Sequence, residues 1–444
     1  MKSVLIVGAG PSAYVTALTC LELNLKLTIV NPDINNWDNT QKSNLNQKSI
    51  LKRRYANRTL YSLPAKISNV VASKVDIFEN FTFGGLSEIW GGVFFPPSMS
   101  EIDFDLSTKA KFNNALDFIE KQLKADTNNE VYKSFRNPIF PSKMIEGKPV
   151  IAYSNLDSIQ NWSAADMFKN GEFHNVEFID GYVQAINQVS KENVEIEIID
   201  KNSEKISLEF NKVFLAAGVF GTARILLDNA PGIKTLEISD SAVSFGLGID
   251  LSKKTVNSID KVMRPERVLV DFEDKGKVRY FVQIYRISIE MIESLKYRHF
   301  HKILIYIFNS IGVRLRLVMI FQPAIHSKCI VMNKQVNKIT AKSAEPKELK
   351  NLQIFSKLKI FMNTKLVPLS YFMTGKPGAG VHSGAYVPIN KPKHDGVIPT
   401  DWATWPDVHV VGAASLPSVP TGPIMLAGMA NSRLIALNVL VENN

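Results

Sequence analysis

The sequence predicts an α/β fold that opens with a Rossmann-like dinucleotide-binding unit. Three observations carry this. Residues 3–7, SVLIV, are a short and almost wholly apolar run, followed by a glycine-rich turn and a helical pattern. Residues 212–217 repeat the arrangement, an apolar run entering Gly218-Val219-Phe220-Gly221. Residues 409–411 repeat it again, before Gly412-Ala413 and a last helical stretch. Short apolar runs of this kind read as buried parallel strands.

The first unit is the most specific. After the strand comes Gly8-Ala9-Gly10-Pro11-Ser12-Ala13, a G-x-G-x-x-A pattern. A helix is expected over about residues 12–23 and a second strand over 25–30, a βαβ unit of about 30 residues. Gly8 permits the tight turn. Gly10 has no Cβ, so a pyrophosphate can approach the backbone, and Ala13 lets helix and strand pack closely. The helix start, with Pro11 and Ser12, offers free N–H groups and a positive dipole end. The acid expected at the end of the second strand is missing. Asn31 stands there, able to hydrogen-bond a ribose hydroxyl more weakly than a carboxylate does.

The chain of 444 residues is long enough for two or three domains or one discontinuous one, and 45% hydrophobic with 21% charged residues is ordinary globular composition. A net charge of +10 suits an anionic partner such as a nucleotide sugar or a phospholipid surface. No nucleic-acid module is legible, so nucleic acid is not expected. Two cysteines, Cys20 and Cys329, make neither a disulfide framework nor a metal site. No apolar run approaches the ~18 residues of a spanning helix, and the expected compartment is the cytoplasm.

Residues 35–70 read as a basic surface excursion. Residues 81–97, FTFGGLSEIWGGVFFPP, set Gly84-Gly85 and Gly91-Gly92 around Ser87 and Trp90. Paired glycines let a backbone lie flat against something bulky. Residues 101–124 are helical and amphipathic through Phe112, Ala115, Leu116, Phe118, Ile119 and Leu123. Residues 181–187 and 194–199 alternate as strands, and a helix is expected over 222–228. Further strands are expected at 268–272, 279–287 and 314–321. Residues 291–311 mix apolar positions with Lys296, Arg298, His299, His301 and Lys302. Such a segment is a domain-packing helix with a basic face, or a peripheral contact with an anionic membrane. Gly375 to Gly384 form a glycine-rich stretch around His382. The last helix is expected over about residues 424–442, with small residues Ala427, Gly428, Ala430 and Ser432 near its start.

Together VGAGPSA (7–13), GGLSEIWGG (84–92), LAAGVFGTARILL (215–227), VHSGAYVP (381–388) and the strand–turn–helix of residues 410–429 resemble the glucose–methanol–choline (GMC) family of FAD-dependent oxidoreductases, in its compact bacterial form. The motifs span the chain in the family's order, and the middle third carries none. The resemblance implies an FAD-binding domain from residues 1–100, 171–240 and 375–444. It also implies a substrate domain on an antiparallel sheet, from 101–170 and 241–374. By resemblance, Gly85, Ser87, Trp90, Gly91 and Gly92 lie along pyrophosphate and flavin. Val183 meets the adenine, and Ala217 and Gly218 lie near the dinucleotide. Gly412, Ala413, Pro423, Ile424 and Met425 contact ribityl and flavin. His382 takes the place of the catalytic histidine.

The reaction this implies is oxidation of a secondary alcohol on a sugar or glycoconjugate, nucleotide- or lipid-linked, with an unknown electron acceptor. Hydride passes to flavin N5 while His382 takes the hydroxyl proton. No metal is implied. One departure is the absence of a second His or Asn before Pro423, where Thr421-Gly422 stand. That departure keeps open a reductive or non-oxidative flavoenzyme. The basic segment 291–311 keeps open a flavin-binding, membrane-associated partner protein.

Overall fold

The computed structural model describes residues 2–32, 70–88, 92–123, 132–133, 144–148, 150, 162–170, 173–250, 265–272, 277–287, 314–336, 338–345, 366–369, 372–388 and 405–442. Trp90, Gly91 and the basic segment 291–311 lie outside the described residues.

The opening unit forms as its pattern predicts. Strand β1 (Ser3–Val7) has Val4, Leu5 and Ile6 wholly buried. Helix α1 (Pro11–Glu22) starts at the proline and is N-capped by Gly10, and β2 (Lys26–Asn31) pairs parallel to β1. Next come β3 (Val70–Ser73), α2 (Leu106–Leu123), β4 (Met144–Gly147) and α3 (Ala164–Asn170). The α2 start is set by Asp105, whose Oδ1 accepts the Thr108 N–H at 2.7 Å. Bonds from Thr108 and Ser107 hold that carboxyl down at about 2. Buried Phe112, Ala115, Leu116, Ile119 and Leu123 form its inner stripe, as the spacing predicts.

A meander follows: β5 (Glu177–Ser190), β6 (Asn193–Asp200) and β7 (Lys205–Phe210). It leads into β8 (Lys212–Leu215), α4 (Gly218–Asn229), β9 (Thr235–Asp240) and β10 (Val243–Asp250). Then come β11 (Pro265–Phe272), β12 (Val278–Arg286), β13 (Arg314–Phe321), β14 (Cys329–Lys334) and β15 (Ile339–Ala344). The chain closes with β16 (Leu366–Pro368), β17 (Met373–Thr374), β18 (Ser383–Pro388), β19 (Val408–Val410) and α5 (Met425–Leu437).

The described strands build three sheets. The first runs β19-β8-β1-β2-β5-β6-β7. It is parallel from β19 to β5. It turns antiparallel where β5 leaves β2 after Asp180 and pairs with β6 from Gly181 onward. The second sheet, β16-β10-β13-β12-β11-β4 with β17 on β10, is antiparallel throughout. This is the Rossmann-like α/β fold with a second antiparallel sheet that the sequence leads one to expect. The third sheet, β18-β9-β14-β15-β3, draws β14 and β15 from the 241–374 stretch. It takes its other strands from stretches read as the cofactor domain, so the two sets of segments interleave there.

Several boundaries differ from the periodicity reading; the helix expected from 101 starts at Leu106, and β5 runs beyond 181–187 at both ends. Helix α4 starts at Gly218 rather than 222, because Gly218 at φ +72 lets the chain turn at once from strand to helix. The last helix leaves α geometry at Asn438 and ends in a π turn to Glu442. Helix α5 packs between α1 and α2. Cys20 is wholly buried in the core under α1, as its place in the pattern predicts. Among the described residues no helix is long and apolar enough to cross a membrane.

Candidate cofactor and active site

Three helix N-termini converge on one cavity of about 420 Å³. Residues at the starts of α1 (Gly10, Pro11, Ser12), α4 (Gly218, Val219, Gly221) and α5 (Ile424, Met425) line it. None of the three helices has a side-chain cap, so the first-turn N–H groups are left for something else to satisfy. Uncapped N-termini with aligned dipoles favour anionic ligands.

The β1–α1 turn is locked from two sides. The Gly8 N–H donates to Val30 O at 2.8 Å, and the Gly84 N–H donates to Ala9 O at 3.0 Å. The second bond lays the 84–85 turn over the first. Ser87 holds that turn in place: its hydroxyl donates to Gly84 O at 2.6 Å and accepts the Ala164 N–H at 3.0 Å. Its one proton is therefore used within the protein. Gly85, Ser87, Asn31, Val183, Ala217 and Gly218 all line the cavity, with Ala413, Pro423, Ile424 and Met425 at another part of its wall. Val183 sits at a register shift between β5 and β6. Such bulges free backbone groups from the ladder.

Three residues expected at the cofactor stand behind the cavity wall. Ala13, Gly92 and Gly412 do not line the cavity. Ala13 is wholly buried one layer behind, packing α1 onto the core. Gly412 also supports from behind: a β-carbon there would sit 2.5 Å from Ser12 Oγ, and its carbonyl accepts from Asn431 Nδ2 at 3.0 Å. Gly92 is buried in its own loop.

His382 reaches the cavity on a strained loop. Val381, a β-branched residue, adopts φ +58 just before it. Left-handed backbone at such a residue is costly, and persists where the surroundings enforce it. Here Asp240, 1% exposed at the end of β9, is the enforcer. Its carboxylate accepts the Gly378 N–H at 2.8 Å and the Ser383 hydroxyl at 2.7 Å, bracketing His382 on both sides. The imidazole ring lies 4.5 Å from the Phe321 ring, and its buried Nδ1 has no partner among the described residues. Burial pushes the imidazole down to about 3, so it stays neutral at physiological pH. Asp240→Asn replaces one accepting oxygen with a donor. It is expected to lower stability by about 1–3 kcal/mol, read by thermal denaturation.

Sequence reasoning missed the second sheet's contribution. Gln283 and Tyr285 on β12 and Met319 and Phe321 on β13 line the cavity with His382. Gln283 pairs with Met319 in the ladder, so these side chains share one face. The Tyr285 hydroxyl donates to Gln283 Oε1. The apolar alternation of β12 was visible, but nothing in it said which face meets the cavity. Glu101 is a second omission: its Oε1 accepts the Thr421 N–H at 3.1 Å, pinning the loop before Pro423 where a second His or Asn was sought. His409 is half-buried on β19, its ring tilted against Phe214, and desolvation lowers it to about 4. Among the described residues no cluster of three His, Cys, Asp or Glu could hold a metal.

Among solved structures, the chain is similar to formate oxidase from Aspergillus oryzae RIB40, in work on modification of its FAD. It is similar also to a second structure of formate oxidase. Each is 12% identical over 99% of this chain and 98% of that one, with a TM-score of 0.63. This chain has the formate oxidase fold. That agrees with the GMC-type fold implied by the motifs. No family model matches the sequence, and no curated protein matches it.

The cavity's residues fit an FAD. The uncapped helix ends suit its pyrophosphate, and a β-carbon on Gly10 would meet nothing closer than 3.9 Å, leaving an open approach to the backbone. The wall from Gly8 and Asn31 through Val183 to Ile424 and His382 is continuous. Its ends carry different chemistry: Asn31, Glu79 and Arg224 at one, His382, Gln283 and Tyr285 at the other.

Proposed function

We propose that this protein is an FAD-dependent oxidoreductase that oxidises a secondary alcohol, with a sugar or glycoconjugate as the substrate class. The observation that carries this reading is His382, a half-buried, neutral imidazole held at the wall of the same cavity that fits the dinucleotide. Bound FAD would supply the hydride acceptor at flavin N5. His382 would accept the hydroxyl proton, which a neutral imidazole can do and a charged one cannot. Phe321 and Met319 give the cavity an apolar wall beside His382. Gln283, its carbonyl occupied by Tyr285, turns its N–H2 to a second oxygen of the substrate.

The choice of an alcohol over formate rests on charge. Among the described residues that line the cavity, Arg224 is the one Lys or Arg, and its charge acts on Glu79 rather than on His382. A buried anion without a cation there would be poorly held. Gln283→Leu removes the anchoring amide. It is expected to raise KM about 10-fold with a smaller effect on the rate at saturation, read by single-turnover flavin reduction across substrate concentration.

The test is the visible spectrum of the purified protein, repeated without oxygen against secondary alcohols, sugars, nucleotide sugars and formate. A yellow spectrum bleached by an alcohol or sugar supports the reading. Bleaching by formate alone overturns the substrate class. A yellow protein that none of them bleaches moves the weight to a reductive flavoenzyme, and a colourless protein that takes up no FAD ends the flavin reading.

A further inference from the structure

Strand β2 ends in Asn31, where dinucleotide folds place the acid that holds a ribose. The structure shows why an acid does not stand there. The Asn31 amide N–H2 donates to two backbone carbonyls, Pro32 O and, at 3.0 Å, Phe81 O. A carboxylate at 31 would set its oxygens against both. The loop that covers this end of the cavity thus requires a donor at position 31.

Two residues before Phe81, on that same loop, Glu79 lines the cavity. Its Oε1 lies 3.7 Å from where a β-carbon on Gly221 would sit, so it faces the first turn of α4. Among the described residues nothing donates a hydrogen bond to it. Arg224, also a lining residue, acts on it electrostatically, and the buried Nε of Arg224 has no partner among the described residues either. Burial pushes the Glu79 carboxyl up to about 7, with the Arg224 guanidinium pulling the other way. A desolvated carboxylate without a donor is unfavourable on its own. A ligand bringing hydroxyl donors to this end relieves it.

We propose that Glu79 is the displaced ribose acid of this chain, accepting hydrogen bonds from the vicinal hydroxyls of the adenosine half of FAD. The inference rests on the flavin reading above. Glu79 is then a binding residue with no part in hydride transfer, and Asn31 orders the loop that carries it. The Glu79 carboxylate lies in ordinary contact range of the Gly221 position on α4.

The experiment strips the full-length protein of flavin and titrates it with FAD and with FMN, following flavin fluorescence, for wild type and Glu79→Gln. FMN lacks the adenosine half. Glu79→Gln is expected to weaken FAD binding about 10- to 100-fold, the loss of a charge-assisted hydrogen bond, and to leave FMN binding unchanged. The apo variant is expected to melt no lower than apo wild type, because the glutamine removes a half-buried charge that had no donor among the described residues. Equal FAD affinity in the two proteins overturns the inference, as does an equal loss for FAD and FMN, which marks a general distortion. Wild type that binds neither flavin overturns the flavin reading instead, so the two failures are distinguishable.

Discussion

His382→Ala is expected to slow flavin reduction by the substrate about 10²–10⁴-fold, the ordinary contribution of a positioned general base. FAD affinity should stay near that of wild type, since the imidazole packs on Phe321 of the second sheet. Stopped-flow reduction without oxygen measures it, and an unchanged single-turnover rate removes His382 from the mechanism. The pH dependence is a sharper check. Burial lowers the imidazole to about 3, so the rate should hold steady from pH 8 through the usual histidine range near 6.5. An ordinary histidine limb at 6.5 would mean the site is wetter than its packing indicates.

The same shift has a sign in stability. The unfolded chain takes up a proton on His382 near pH 6.5, and the fold refuses it until about 3. His382 therefore leaves the fold at full stability above 6.5 and weakens it as pH falls below that value. His409, lowered to about 4, acts in the same direction. Asp240 runs the other way: burial raises its carboxyl to about 6, so the stability it confers when protonated is lost as pH rises towards 6. His382→Ala should accordingly lose less stability than wild type between pH 7 and pH 4, a comparison made by denaturant melts.

The second large effect is a contrast between two glycines of one turn. Gly8 adopts φ +109, and a β-carbon there would sit 2.5 Å from Ala216 O. Gly8→Ala is expected to destabilise the protein itself by more than about 2 kcal/mol, because neither the backbone conformation nor the neighbouring strand can yield. Gly10 is at φ −85, and its β-carbon position is open. Gly10→Ala should leave the melting temperature of the flavin-free protein unchanged while weakening FAD binding about 10-fold or more, since the methyl enters the approach of the pyrophosphate. Thermal melts of stripped protein and FAD titration separate the two. A Gly10→Ala protein that binds FAD like wild type would place the pyrophosphate elsewhere.

The opening βαβ unit was legible because its constraints are local. A buried strand, a turn that only glycine can make and a helix start follow one another within residues 3–22. The α2 stripe was legible for the same reason, a period of 3.6 read within one helix. His382 was marked by its glycine-rich setting, but the reason it sits where it does was not. That depends on Asp240, which lies 138 residues from Gly378 and 143 from Ser383 in the chain. Gln283, Tyr285 and Glu79 were invisible for a related reason: a strand face or a loop carboxylate acquires meaning only from what packs opposite.

By itself, the sequence determined the α/β class, the dinucleotide turn, the approximate path of the parallel sheet and the histidine to test. Those rest on hydrophobic period and on backbone freedom at single residues, both written in neighbouring positions. Only the tertiary structure decided which residues line the cavity and which stand behind it. It showed that three uncapped helix ends meet at one place. It also showed that position 31 demands a donor, because Phe81 O, 50 residues away, folds against it. Desolvation and hydrogen-bond complementarity arise between segments distant in sequence, and no local pattern encodes them.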